Sequence, residues 1–284
     1  MTWIIFAFGS VLLYTCVNLL QKRMAVESKY PRAMAILFNG IAGLFALLIF
    51  ALTDSFKNFN LPSDSRAWIA LAIASFCYAM YVRGRFVAAK LLDASVLATV
   101  TNISVLVAFI GSIFLYSESL TANKALGGIL ILGALFLVSF NNNKAKKLSV
   151  RGLLIATLIS VILGIAWMLD KLGVQYFNAN TYNIFVWIIP NIFIYLPYIR
   201  PDNIKSEWHI GSWKIVLLAG LSVVGYLLQL KSLELTEATK VIPILQMSTI
   251  FTVFMGIILL KERDNIAMKV IAGIMAMAGA YLLI

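Results

Sequence analysis

The chain alternates long apolar runs with short polar breaks along its whole length. Dividing it at charged or Pro/Asn-containing turns predicts ten helices, over 3–21, 33–52, 67–89, 95–116, 123–140, 152–169, 181–199, 213–233, 239–260 and 267–284. Each approaches the roughly 20 mostly apolar residues that cross a bilayer core. The first run has no basic leader and continues to Gln21-Lys22-Arg23 without a cleavage site, so it is read as a retained helix. Only one polar stretch divides the chain near its middle, Asn141-Asn142-Asn143-Lys144-Ala145-Lys146-Lys147. The expected organisation is a first five-helix repeat over 1–140, a basic linker over 141–151 and a second five-helix repeat over 152–284.

The two halves echo each other at an offset of 144 residues: Asp93-Ala94-Ser95 through Ser117-Glu118 aligns without a gap on Glu237-Ala238-Thr239 through Lys261-Glu262. The identities are Ala94/Ala238, Ser104/Ser248, Ile113/Ile257, Leu115/Leu259 and Glu118/Glu262. After two extra residues, Gly127, Gly133 and Ala134 fall opposite Gly273, Gly279 and Ala280. An odd number of spans per half makes the second half enter the membrane from the opposite side. The repeats are then inverted about an axis in the membrane plane, a relation that supplies two interconvertible openings around one site.

Composition agrees with a polytopic, all-α integral membrane protein. The chain is 62% hydrophobic and 12% charged, with mean hydropathy +0.93, far from the roughly 45–50% and 25% of soluble domains. A net charge of +11 would suggest nucleic acid in a soluble protein. Here the basic residues sit between spans, where they meet lipid headgroups, so membrane lipid and no nucleic acid is the expected partner. Connections 1–2, 3–4, 5–6, 7–8 and 9–10 with their flanks hold 17 of the 23 Lys and Arg residues, and the alternate connections hold 6. That bias places the odd connections in the cytoplasm and both termini outside.

The glutamates closing spans four and nine, the glycine-spaced helix after each, and the acidic/small/hydroxyl start of those spans resemble the ten-helix EamA-like branch of the drug/metabolite transporter superfamily. The resemblance covers essentially the whole chain. It includes Pro243 early in span nine and the Lys261-Glu262-Arg263 exit, whereas Thr99 stands where the first half would carry the matching proline. It implies a basket in which spans 1, 3, 4, 6, 8 and 9 enclose a central cavity. Spans 5 and 10 would pack outside it and support dimers in related proteins, which makes a homodimer an expected partner beside the small-molecule solute. It also implies a multi-pass protein of the cell membrane, inner or plasma, with both termini in the cytoplasm, against the loop bias.

Polar residues within those spans become candidate cavity positions: Tyr14, Asn18, Tyr78, Tyr81, Thr99, Asn102, Trp167, Tyr226, Gln229 and Gln246. Polar groups at membrane depth face protein or water rather than lipid. Asn102 and Gln246 occupy equivalent repeat positions, as do Arg85 and Gln229. Structural roles stay open for all of them, because Asn and Gln also join packed helices and aromatic residues also fill or anchor them. Arg83 and Arg85, two residues apart, cannot share a helix face. At most one is expected to look into the cavity, where its planar fork would favour a carboxylate or phosphate.

Glu118 and Glu262 are expected to be helix-end supports, each capping the turn and helix that follow it. Asp170, Glu234 and Glu237 are expected at span ends, which argues against a proton relay built on an intramembrane acid. The ends of spans one and six, Asn18 to Lys22 and Trp167 to Lys171, echo each other as gate-closing groups or snorkelling lysines. Cys16 and Cys77 lie inside spans and His209 in a polar loop, so no metal site, cofactor or nucleophile-base pair is expected, and the protein is not expected to be an enzyme. The expected function is secondary transport of a small organic metabolite by alternating access, an amino acid or related carboxylated solute being favoured. The alternatives are export of drugs or lipophilic cations, and a lipid scramblase or non-transporting membrane scaffold.

Overall fold

A computed structural model describes residues 2–53, 59, 61–92, 100–140, 149–196, 200–260 and 266–283. All regular structure among them is helical: α1 (Thr2–Glu27), α2 (Pro31–Leu52), α3 (Ser65–Leu91), α4 (Ile103–Tyr116), α5 (Ala122–Phe140), α6 (Val150–Tyr195), α7 (Pro201–Leu235), α8 (Ala238–Leu260) and α9 (Ile266–Leu283). By length and composition, five of them, α1, α2, α3, α6 and α7, can cross a membrane, and α4, α5 and α9 carry shorter apolar stretches. The start of the expected 95–116 span, Thr99, Pro197, Glu262 with its Lys261 and Arg263 neighbours, and most of the 141–151 linker lie outside the described residues.

Helix starts follow capping chemistry. The Asp64 carboxylate accepts from the Arg66 amide at 2.8 Å to open α3, and the Ser149 hydroxyl accepts from the Gly152 amide at 3.1 Å to open α6. Each satisfies an amide that the helix leaves without a partner.

α6 contains the largest departure from expectation. Its 46 residues would run about 69 Å if straight, more than twice the hydrocarbon core. Asn178, at φ 57° and ψ 163°, breaks the helix into two limbs. Its side-chain carbonyl accepts from the Thr181 amide at 3.0 Å and so caps the second limb. The first limb therefore does not stop at residue 169: it carries Asp170 and Lys171 inside the helix and ends only at the Asn178 turn. The second limb folds back on the first, and a Cβ at Gly173 would overlap the Tyr182 ring. Only glycine allows that approach.

α7 is likewise broken, at Ser212 (φ 43°), into a short limb over 201–211 and the span over 213–235. Its longer limb packs on α1 and α2, while α3 and α4 pack on α6. Where lipid replaces water, such contacts rely on small residues and hydrogen bonds rather than on apolar burial. The Ser10 hydroxyl of α1 donates to the Gly225 carbonyl of α7 at 2.8 Å, and the Asn39 amide of α2 donates to the Trp187 carbonyl of α6 at 3.2 Å. α5 and α9 pack directly on each other, their backbones touching at Gly127 and Gly279. A Cβ on either would come within 2.8 Å of the other's carbonyl oxygen.

Candidate functional site

Asp170 is fully buried in α6, and its carboxylate is the focus of a polar cluster drawn from several helices. Tyr78 of α3 donates to Oδ2 at 2.6 Å and Tyr226 of α7 donates to Oδ1 at 2.8 Å. Tyr182 of the second α6 limb reaches Oδ1 and the Gln229 amide of α7 reaches Oδ2, each at 3.3 Å. A carboxylate offers about four lone-pair positions, and four donors occupy them. Gln229 extends the cluster, because its Oε1 accepts from the Tyr14 hydroxyl of α1 at 3.0 Å. The rings of Tyr78 and Tyr226 meet edge to face at 6.0 Å, and Trp187 meets Tyr226 at 5.9 Å.

The neighbouring Lys171 takes no part in this cluster. Adjacent residues on a helix point about 100° apart, and the Lys171 ammonium instead donates to the Leu233 and Thr236 carbonyls at the end of α7. Its charge sits where the helix dipole is negative. Beyond the break, Glu118 accepts from the Ala238 amide at 2.9 Å, the Thr239 amide at 3.0 Å and the Thr239 hydroxyl at 2.6 Å. Glu118 thus caps α8, not the helix that follows it in sequence. Lys124 of α5 completes this junction, donating to the Ser119 carbonyl and pairing with Glu237 at 2.7 Å.

From the Asp170 cluster, polar stripes run along α1 and α3. Tyr14, Asn18 and Gln21 lie on one face of α1, as Tyr78, Tyr81 and Arg85 do on α3, by their spacing of three or four residues. Asn18 donates to Thr252 of α8 at 3.3 Å. The Arg85 guanidinium donates to Gln21 at 2.7 Å and lies 5.7 Å from the Tyr81 ring centre. Arg83 turns elsewhere, to the Phe193 carbonyl at 3.2 Å. Among the described residues no carboxylate pairs with Arg85.

Of the residues named from sequence, Tyr14, Tyr78, Tyr226 and Gln229 gather around Asp170, while Asn18, Tyr81 and Arg85 line the stripes. Asn102 is buried where α4 begins, Trp167 packs against the apolar core, and Gln246 is half-buried on α8; none of the three hydrogen-bonds Asp170. Arg85 and Gln229, paired by the 144-residue offset in sequence, bind positions on α1 that are seven residues and about 10 Å apart. Sequence reasoning missed Asp170 and Tyr182. A signal existed for the first: Leu163, Ala166, Asp170, Gly173 and Phe177 form one buried face at helical spacing, so the apolar pattern continues through the Asp-Lys pair.

The model of the EamA-like transporter family matches residues 1–140 and again residues 150–284. The chain belongs to the EamA-like transporter family. As an EamA-like protein it is a multi-pass membrane transporter of the drug/metabolite kind. No curated protein matches the chain. A solved structure described as "Crystal structure of protein" is similar in fold, at TM-score 0.75 and 14% identity, over 99% of this chain and 96% of that one.

Proposed function

We propose that this EamA-like protein is a secondary transporter that carries a small organic metabolite across a cell membrane by alternating access. Its ten spans form two inverted five-helix repeats, 1–140 and 152–284, that rock about a central site at Asp170. The observation that carries this reading is the origin of the groups around that carboxylate. Tyr78, and Tyr14 through Gln229, come from the first half, whereas Tyr182, Tyr226 and Gln229 come from the second. A cluster shared between halves must rearrange when they move, which is what a transport site between repeats requires.

An amino acid or related carboxylated metabolite suits the stripes, because Arg85 is bonded to neutral Gln21 and can offer its fork to a carboxylate. A second reading, export of lipophilic cations, draws support from the aromatic rings around Asp170, since such rings attract cations. Proteoliposome counterflow tests both. Exchange of carboxylated amines supports the first, exchange confined to organic cations supports the second, and exchange of no solute from a broad metabolite pool by folded protein removes the transporter reading. Within the first reading, Arg85→Gln is expected to weaken apparent affinity for an anionic solute by about tenfold, the scale of one charge-assisted hydrogen bond.

A further inference from the structure

We propose that Asp170 is a reversible proton-binding site, and that its protonation reverses the hydrogen-bond link from α6 through Gln229 to α1. The inference rests on the transporter reading for its role in a cycle, but the chemistry stands on the cluster itself.

The groups around Asp170 are neutral donors. α3 presents Tyr78, α6 presents Tyr182 from its own second limb, and α7 presents Tyr226 and Gln229, with Tyr14 of α1 behind the amide. Among the described residues the other titratable groups beside the cluster bring no partner cation: Tyr116 of α4 donates to the Met168 carbonyl and accepts from the Leu172 amide, and Cys77, next to Tyr78 on α3, is a buried free thiol. Lys171 is committed to the end of α7, and Glu118 to the start of α8. A buried carboxylate without a partner cation is costly, and a proton is the one neutralising ligand that needs no added volume.

Binding it has a definite structural consequence. A proton from water on one side converts the carboxylate to a neutral carboxyl and occupies one of the four lone pairs now in use, so one donor must yield. The two longest bonds are those of Tyr182 and Gln229. Gln229 can yield without losing a bond, because a turn of its amide brings Oε1 to accept the new Asp170 O–H. The same turn aims Nε2 at the Tyr14 oxygen. Tyr14 then accepts where it had donated, and its own proton is free for another acceptor. Loss of the proton to the opposite side restores the original order. A single proton thereby changes what α1 is bonded to, in the helix that also carries Asn18 and Gln21.

The test is infrared difference spectroscopy of the purified full chain between mildly acidic and mildly alkaline pH, with solute counterflow run on the same preparation. A protonated-carboxyl band that appears on acidification and disappears in Asp170→Asn supports the site, and its absence from the unaltered protein overturns it. Because Asp170→Asn can misfold, Tyr226→Phe provides a second handle. Removing one donor to the carboxylate is expected to tighten proton binding about tenfold, one pH unit in the midpoint of the band, and an unmoved midpoint overturns the assignment to Asp170. A Gln229→Leu variant whose α1 side-chain bands respond to pH as in the unaltered protein overturns the link to Tyr14. Counterflow without the band removes the proton site and leaves the transporter reading intact, whereas the band without counterflow does the reverse.

Discussion

In two buried carboxylates, Asp170 and Glu118, both oxygens accept hydrogen bonds, and yet the two differ in what supplies them. Glu118 is held by two backbone amides and a hydroxyl at the first turn of α8, and Lys124 braces the same junction through the adjacent Ser119 carbonyl and Glu237. Asp170 is held by side chains alone, three phenols and an amide, with no cation among them. Backbone amides at a helix start are fixed in direction and always donate, so Glu118 has one arrangement available. Phenols rotate and amides turn, so the donors around Asp170 have several. A carboxylate gripped by backbone is a fastener; one gripped by side chains can change its bonds without unfolding a helix.

The largest effect is expected at Asp170. Asp170→Ala leaves four buried donors without an acceptor, at about 1–3 kcal/mol for each that stays unsatisfied. Solute exchange in proteoliposomes should then fall on the order of 100-fold, about 2.7 kcal/mol in barrier terms. Glu118→Ala should cost about 1–2 kcal/mol of stability through the lost cap, seen as a lower unfolding midpoint in detergent, with exchange per folded molecule little changed. If Glu118→Ala abolished exchange while leaving stability intact, the contrast between fastener and switch would collapse. A finer probe is Tyr226→Phe, expected to lower stability by about 1 kcal/mol through one lost hydrogen bond and to alter the pH dependence of exchange, which Thr239→Val at the Glu118 cap should not do.

The smallest effect belongs to an exposed pair. Glu27 at the end of α1 accepts from Lys214 at 2.8 Å, and that hydrogen bond, with the charge behind it, holds its carboxyl below the usual range. A carboxyl whose folded value is depressed contributes stability above its unfolded value and loses it as pH falls through the folded one. Glu27→Gln should therefore lower the unfolding midpoint slightly near neutral pH, with the difference from the unaltered protein vanishing in acid or at high salt.

Much of the helical layout was legible from apolar run length, because a bilayer imposes one length on whatever crosses it. Of the candidate cluster, the outer residues were legible and the central carboxylate was not. Tyr14, Tyr78, Tyr226 and Gln229 stand out as polar groups within apolar runs. Asp170 does not, because an adjacent lysine makes the pair look like the end of a span. Only the helix geometry that sends Asp170 inward and Lys171 toward α7 separates them. Tyr182 was hidden by the Asn178 turn, which puts it in contact with a residue twelve positions earlier. Glu118 was recognised as a helix-end carboxylate and assigned to the wrong helix, since spacing along the chain does not reveal that the start of α8 comes to meet it.

Gly173 takes part in none of the hydrogen bonds to Asp170, yet it sets the distance across which the Tyr182 phenol meets that carboxylate. The hydrogen it carries in place of a methyl is the spacer between the two limbs of α6, and the Tyr182 ring rests where that spacer lets it. One of the two longest reaches of the cluster, 3.3 Å from Tyr182 to Asp170, is thus metered by an absent atom. Any larger residue there would push the phenol off the carboxylate and retune the centre without touching a single polar group.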